Sequence, residues 1–288
     1  MKNKLQLLGA MSIFGTVGIF VKFIPLQSAT IAFVRGVLGV LFLILVMALG
    51  KKKPAWSAIR KNLLILLFSG AAIGINWVLL FESYRYTSVA ISTVCYYLAP
   101  LFLLLMSPLL GERLTKKKLT CIGFAFLGMV LLTGVEDSSA FSFAHLRGIL
   151  LATGAAVFYA TVMLLNKKLS PIPAYDKTIF QLGAASLVIV PYLFYGNGFT
   201  FTGMDLTGWV CLGIVGVIHT GFAYALYFGA IKHLPTHTIA LFSYLDPVLA
   251  VILSAVLLRE PLSLWGVLGT ILILGSALYS ELPGKKKH

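Results

Sequence analysis

An all-α membrane protein of ten transmembrane helices, built as two inverted five-helix repeats with both termini in the cytoplasm, is the fold class this sequence predicts. Three observations carry it: apolar runs of bilayer length fill the chain, basic residues cluster on alternate sides of those runs, and the second half repeats the first. Hydrophobic residues occupy 59% of the 288 positions and charged residues 11%, with a mean hydropathy of +0.96. A soluble domain of this size cannot be that apolar, so the solvent is a lipid bilayer.

Read with a window of about 19 residues, the chain holds ten apolar segments, running roughly 5–24, 28–49, 62–81, 88–110, 118–135, 147–166, 175–195, 207–230, 236–258 and 263–281. Each supplies the ~20 residues that cross ~30 Å of hydrocarbon as a helix. Barrel strands would alternate polar and apolar residues, and a run such as LLLMSPLL (103–110) does not. The opening MKNKLQLLGAMSIFGTVGIF imitates a signal peptide, yet no small-x-small cleavage site follows, so it reads as a retained first helix. Cys95, Cys121 and Cys211 lie far apart inside apolar runs, which offers neither a disulfide framework nor a zinc spacing and suits small, inert buried residues.

The net charge of +14 does not point to nucleic acid, because the lysines stand in short blocks between apolar runs. With the N-terminus in the cytoplasm, the inside holds Lys2 and Lys4, Lys51 to Lys53 with Arg60 and Lys61, Arg113 with Lys116 to Lys118, Lys167, Lys168 and Lys177, Lys232, and Lys285 to Lys287. Only Lys22, Arg35, Arg85, Arg147 and Arg259 fall outside or in the outer half of a helix, an asymmetry of 18 to 5 that places both termini inside.

The repeat emerges when WVLLFESYRYTSVAISTVCYYLAP (77–100) is set above YALYFGAIKHLPTHTIALFSYLDP (224–247) at a constant offset of 147 residues. Phe81 then meets Phe228, Tyr97 meets Tyr244, and Pro100 meets Pro247; one residue further out of register, LLGERLT (109–115) meets LLREPLS (257–263). The chain divides into units of about 1–140 and 141–288. Five helices is an odd number, so the second unit enters the membrane from the opposite side. Such inverted repeats hold their substrate near the midplane, between interrupted helices of the two halves. Pro100 and Pro247 are the matching interruptions and candidate hinges.

The paired stretches GERLTKKKLTCIGFAFLGMVLLTG and REPLSLWGVLGTILILGSALYS, each Glu-x-Leu-Thr/Ser followed by a glycine-spaced helix, resemble the EamA domain of the drug/metabolite transporter superfamily over essentially the whole chain. The resemblance implies ten helices, a central cavity built mainly from helices 1, 3, 4, 6, 8 and 9, and secondary transport of small solutes, often export of amino acids or other metabolites. It names no substrate. Within the motif, Thr115 and Ser263 look like helix N-caps. Gly123, Gly128, Gly266, Gly269 and Gly275 would let helices approach closely, and Glu112 and Glu260 read as structural.

Substrate chemistry must come from polar and aromatic residues at membrane depth. Asp246 is the sharpest, an ionisable group beside a helix break; at a helix centre it would cost roughly 2.5–3.5 kcal/mol. It would bind a substrate amine or couple a proton, or else serve as a structural partner of Arg35. Arg35 in turn would pair with a carboxylate of the protein or capture one on the substrate. Asn76, Trp77 and Glu82 share the third segment; Trp77 could be an interfacial anchor, and Glu82 could form a surface pair with Arg85. His219 would bond a ligand or change charge with pH, or form an ordinary interhelical bond. Tyr96, Tyr97, Tyr159, Tyr224 and Tyr244 would give a cavity aromatic walls, or simply pack. Lys22 would snorkel to the outer surface or join the site.

The sequence reads as an inner-membrane exporter of amino acids, a secondary transporter working by alternating access on a small solute, proton-coupled if Asp246 must be protonated for the empty carrier to return and a facilitator if not, with no cofactor, metal or nucleic acid. A cationic drug or polyamine is an alternative cargo, attracted by Asp246 and the tyrosines, although Arg35 and Lys22 argue against it. An intramembrane enzyme would need a His-x-Asp pair, paired aspartates, a metal-ligand cluster or a nucleophile motif, none of which the sequence carries. A scaffold without flux is a further alternative.

Overall fold

A computed structural model describes residues 2–111, 114–132, 142–195, 199–231, 233–234, 236–260 and 263–281. Glu112 lies outside the described residues. Every regular element among those described is helical. In chain order they are α1 (Lys2–Lys22), α2 (Ser28–Leu49), α3 (Trp56–Ser83), α4 (Val89–Tyr96), α5 (Ala99–Leu105) with a 3-10 turn at Ser107–Leu110, α6 (Lys116–Leu132), α7 (Phe143–Lys167), α8 (Ala174–Tyr195), α9 (Leu206–Gly213), a π-helical stretch at Ile214–Phe222, α10 (Ala223–Ile231), α11 (Thr236–Ser243), α12 (Leu245–Leu257) and α13 (Leu264–Glu281).

Each apolar segment of the sequence coincides with one helix or with a run of consecutive helices. Six rods are long and apolar enough to cross a membrane by length and composition: α1, α2, α3, α7, α8 and the α9–α10 run. The runs Val89–Leu105, Leu245–Leu257 and Leu264–Ser280 are apolar but shorter. Large side chains such as Phe126, Phe194, Leu187 and Leu264 are exposed around the outside, where acyl chains rather than water would cover them.

Local chemistry explains most boundaries. Ser88, Ser142 and Asp205 accept bonds from Ile91, His145 and Gly208 as N-caps of α4, α7 and α9. Thr115 and Ser263 cap α6 and α13 in the same way, with Oγ1 of Thr115 3.3 Å from the Lys118 amide and Oγ of Ser263 3.0 Å from that of Gly266. The third helix begins at Trp56, so Arg60 and Lys61, expected before it, belong to its first turns. The two candidate hinge prolines do not lie inside continuous helices. Pro100 and Pro247 both fall in the first turn of a new helix, α5 and α12, where a missing amide costs no intrahelical bond.

Gly128 of α6 and Gly269 of α13 set the closest of the helix contacts expected from the motif. A Cβ on Gly128 would stand 2.7 Å from the Gly269 carbonyl oxygen, and one on Gly269 2.6 Å from that of Gly128. Gly123 and Gly275 correct that expectation, since a side chain on either would meet nothing within 4 Å.

Numbered by apolar segment, the main packing pairs are reciprocal. Segment 3 packs on 6 as segment 8 packs on 1; segment 3 packs on 7 as 8 packs on 2; segment 1 packs on 9 as 6 packs on 4. Segments 2 and 7, 4 and 9, and 5 and 10 each pack on their own counterpart.

Candidate functional site

The two helix breaks meet in the middle of the bundle and border a cavity of about 420 Å³. The break between α4 and α5 contributes Tyr96, Tyr97, Ala99 and Pro100; the break between α11 and α12 contributes Ser243, Tyr244 and Asp246. Tyr97 joins them directly. Its hydroxyl lies 2.8 Å from Asp246 Oδ2 and 3.1 Å from the carbonyl oxygen of Ser243, at the C-terminal end of α11. The rings of Tyr97 and Tyr244, equivalent positions of the sequence repeat, are 6.2 Å apart. Asp246 occupies the first turn of α12, the positive end of the helix dipole. On its other side Gly15 lets α1 come close, for a Cβ there would stand 2.7 Å from the Asp246 carbonyl oxygen.

Arg35, brought by α2, is the second charged group of the cavity and is only 6% exposed. Its Nε donates to Thr220 Oγ1 at 2.8 Å, and its guanidinium carbon lies 4.2 Å from the Trp77 ring centroid. No carboxylate among the described residues is within ion-pair distance of it, so the expected partner is a hydroxyl and an aromatic face instead. The Thr220 hydroxyl donates to the Val215 carbonyl at 2.9 Å, five residues back, which is the spacing a π-helix allows. The stem of Arg35 is thereby fixed, while its terminal nitrogens make no hydrogen bond with a described residue.

The third charged lining residue is Lys177, in the first turns of α8. The sequence marks it only as one of the inside lysines. Its neighbour Asp176 is turned away, accepting from the Ala55 amide at 3.1 Å. Near it Gln181 Nε2 reaches Ser69 Oγ and Asn166 Oδ1, each at 2.7 Å. The i, i+4 polar pair of Lys177 and Gln181 on one face of α8 was the available signal.

The remaining expected residues divide. Asn76, Trp77, Tyr159 and Tyr224 line the cavity, Tyr159 stacking on Tyr96 at 5.2 Å and Tyr224 on Phe228 at 5.8 Å. Asn76 is oriented by donating to the Ala155 carbonyl at 2.6 Å while its Oδ1 faces the Tyr96 hydroxyl at 3.4 Å. His219, Glu82, Lys22 and Pro247 are not among the lining residues. His219 is 1% exposed and holds α1 to the π-helical stretch, with Nε2 2.8 Å from Thr16 Oγ1 and Nδ1 3.2 Å from the Ile214 carbonyl. Glu82 takes a bond from Ser28 at 2.6 Å and pairs with Arg85 at 3.5 Å.

Lys22 belongs to a different cluster, at the end of the bundle away from the lysine blocks. Its Nζ is 3.0 Å from Glu260 Oε1, and the other Glu260 oxygen accepts from the Val89 amide at 2.9 Å and from Ser254 Oγ at 2.7 Å. Ser254 in turn accepts from the Ala90 amide at 3.3 Å. One carboxylate thus ties α1, α4 and α12 together, capping the N-terminus of α4 where negative charge is favoured. No cluster of His, Cys, Asp and Glu among the described residues is arranged to hold a metal ion.

The family model for the EamA-like transporter family matches residues 2–134 and again 146–280. The chain belongs to that family. A relative in Bacillus subtilis (strain 168), the uncharacterized transporter YxxF, is 33% identical over 92% of this chain and 84% of its own length. An uncharacterized transporter of Archaeoglobus fulgidus is 22% identical over 92% of this chain and 91% of its own. A solved crystal structure shares the fold with a TM-score of 0.67 at 19% identity, covering 97% of this chain and 96% of that one. Two EamA domains, transporter relatives and the apolar rods make this EamA protein a multi-pass membrane transporter and not an enzyme.

Proposed function

We propose that this EamA protein is a ten-helix secondary transporter of the cytoplasmic membrane, with both termini inside, that exports amino acids by alternating access between two inverted halves. The carrying observation is the cavity at the crossing of the two helix breaks, where a guanidinium with free terminal nitrogens, a carboxylate and aromatic walls converge. A zwitterion matches that set: its carboxylate to Arg35, its ammonium to Asp246 and its side chain to the rings. Reciprocal packing of the segments supports the inverted repeat.

Tyr97 supports proton coupling. When Asp246 is ionised, the Tyr97 hydroxyl donates to Oδ2. When Asp246 carries a proton, the carboxyl O–H donates to the Tyr97 oxygen, and the tyrosine proton turns to the Ser243 carbonyl. Either arrangement leaves the buried groups bonded, so a proton can come and go without stranding one. The Glu260 cluster is read as the outer closure, because α1, α4 and α12 must part there for the cavity to reach the outside. A cationic cargo is disfavoured by two lining cations against one carboxylate.

Binding is testable through Trp77, with Trp56, Trp209 and Trp265 replaced by Phe. Amino acids added to the purified protein are expected to change its fluorescence saturably, and Arg35→Lys to weaken binding about tenfold by losing the planar fork stacked on the ring. No response to any amino acid from folded protein contradicts the assignment.

A further inference from the structure

The charged residues that line the cavity define a charge pattern more specific than a zwitterion. Arg35, Lys177 and Asp246 are the charged lining groups among the described residues, two cations to one carboxylate. Neither cation is neutralised from within: Arg35 gives only its Nε to Thr220, and the Lys177 ammonium makes no ion pair or hydrogen bond with a described residue. Such a surplus inside a helix bundle at membrane depth is costly until a ligand anion balances it. The complement of two cations and one carboxylate is two carboxylates and one ammonium.

We propose that the substrate is an acidic amino acid, with Lys177 as the specificity-determining residue for its side-chain carboxylate. This deepens the reading of the cavity as an amino-acid site and rests on it. Leu182 and Ser186 of α8 face Gly36 beside Arg35. Lys177 precedes them by five to nine residues, on the order of 10 Å of helix rise toward the lysine-rich end. The lysine's four-carbon stem and the substrate's own chain span that distance together. Asn166, whose Oδ1 accepts from Gln181 at 2.7 Å, lies beside the same part of the cavity and offers its own amide N–H groups to a second carboxylate. Glutamine, nearly the same size and shape as glutamate, leaves Lys177 unbalanced.

The experiment is counterflow in proteoliposomes with radiolabelled L-glutamate and L-glutamine, in wild type, Lys177→Met and Lys177→Arg. Wild type is expected to take glutamate with a KM at least about tenfold below that for glutamine, the cost of one charge-assisted bond. Lys177→Met is expected to erase that preference by raising KM for glutamate alone, and Lys177→Arg to restore it. A monodisperse size-exclusion profile and an unchanged helical circular-dichroism spectrum serve as the folding control for Lys177→Met. If wild type prefers glutamine or treats the two alike, the acidic-substrate inference is overturned and the amino-acid reading stands. A glutamate preference that survives Lys177→Met overturns the role of Lys177. Exchange of no amino acid by folded wild type overturns the amino-acid reading and this inference with it.

Discussion

Asp246 and Pro247 place two costs side by side in an apolar segment, and their positions in α12 remove much of both. In the first turn, the proline interrupts no intrahelical bond, while the aspartate meets the positive end of the helix and a tyrosine hydroxyl. The sequence made Asp246 conspicuous because charge at membrane depth is rare. It did not reveal that the bond to Asp246 comes from Tyr97, since a tyrosine among several carries no mark of its partner. Lys177 was masked for the opposite reason, as one more lysine at an inside end. At this scale the expectation is that Tyr97→Phe, which removes the donor without removing the ring, slows pH-gradient-driven exchange by about tenfold, the worth of a hydrogen bond to a charged group. Exchange without a gradient should change far less; an equal loss in both would make Tyr97 a packing residue.

Apolar length was enough to locate the helices, and for α2 the bounds of the segment and of the helix coincide. Interruptions were legible only as prolines. Pattern alone does not separate a kink from a fresh start, and the π-helical stretch at Ile214–Phe222 has no proline at all. Its register is held by tertiary partners, Arg35 on Thr220 and Thr16 on His219, which no local window contains. Glu260 shows the same limit, because its family motif is visible in sequence but the α4 amide it caps is 171 residues away. Glu260→Gln keeps the shape and removes the charge that binds Lys22. Val89→Cys, at a site now fully buried beneath that cluster, reports the result. In the reporter background, Glu260→Gln is expected to raise labelling by an impermeant maleimide from outside about five- to tenfold, since roughly 1 kcal/mol of closed-state preference is lost. Unchanged labelling would remove Glu260 from the outer closure.

For the whole molecule, the internal repeat was the most informative signal, because it divided the chain much as the two matches to the family model do, at residues 2–134 and 146–280. Substrate identity was the least legible, since it depends on which side chains share one cavity after ten segments have packed. Amino acids are proposed to cross through that cavity with Asp246 in the cycle. Counterflow of a radiolabelled amino-acid panel into proteoliposomes, with and without a pH gradient, tests it in wild type and Asp246→Asn. Wild type is expected to show saturable exchange that the variant loses or carries out without responding to pH. Unchanged rate and pH response in a correctly inserted Asp246→Asn protein would contradict it.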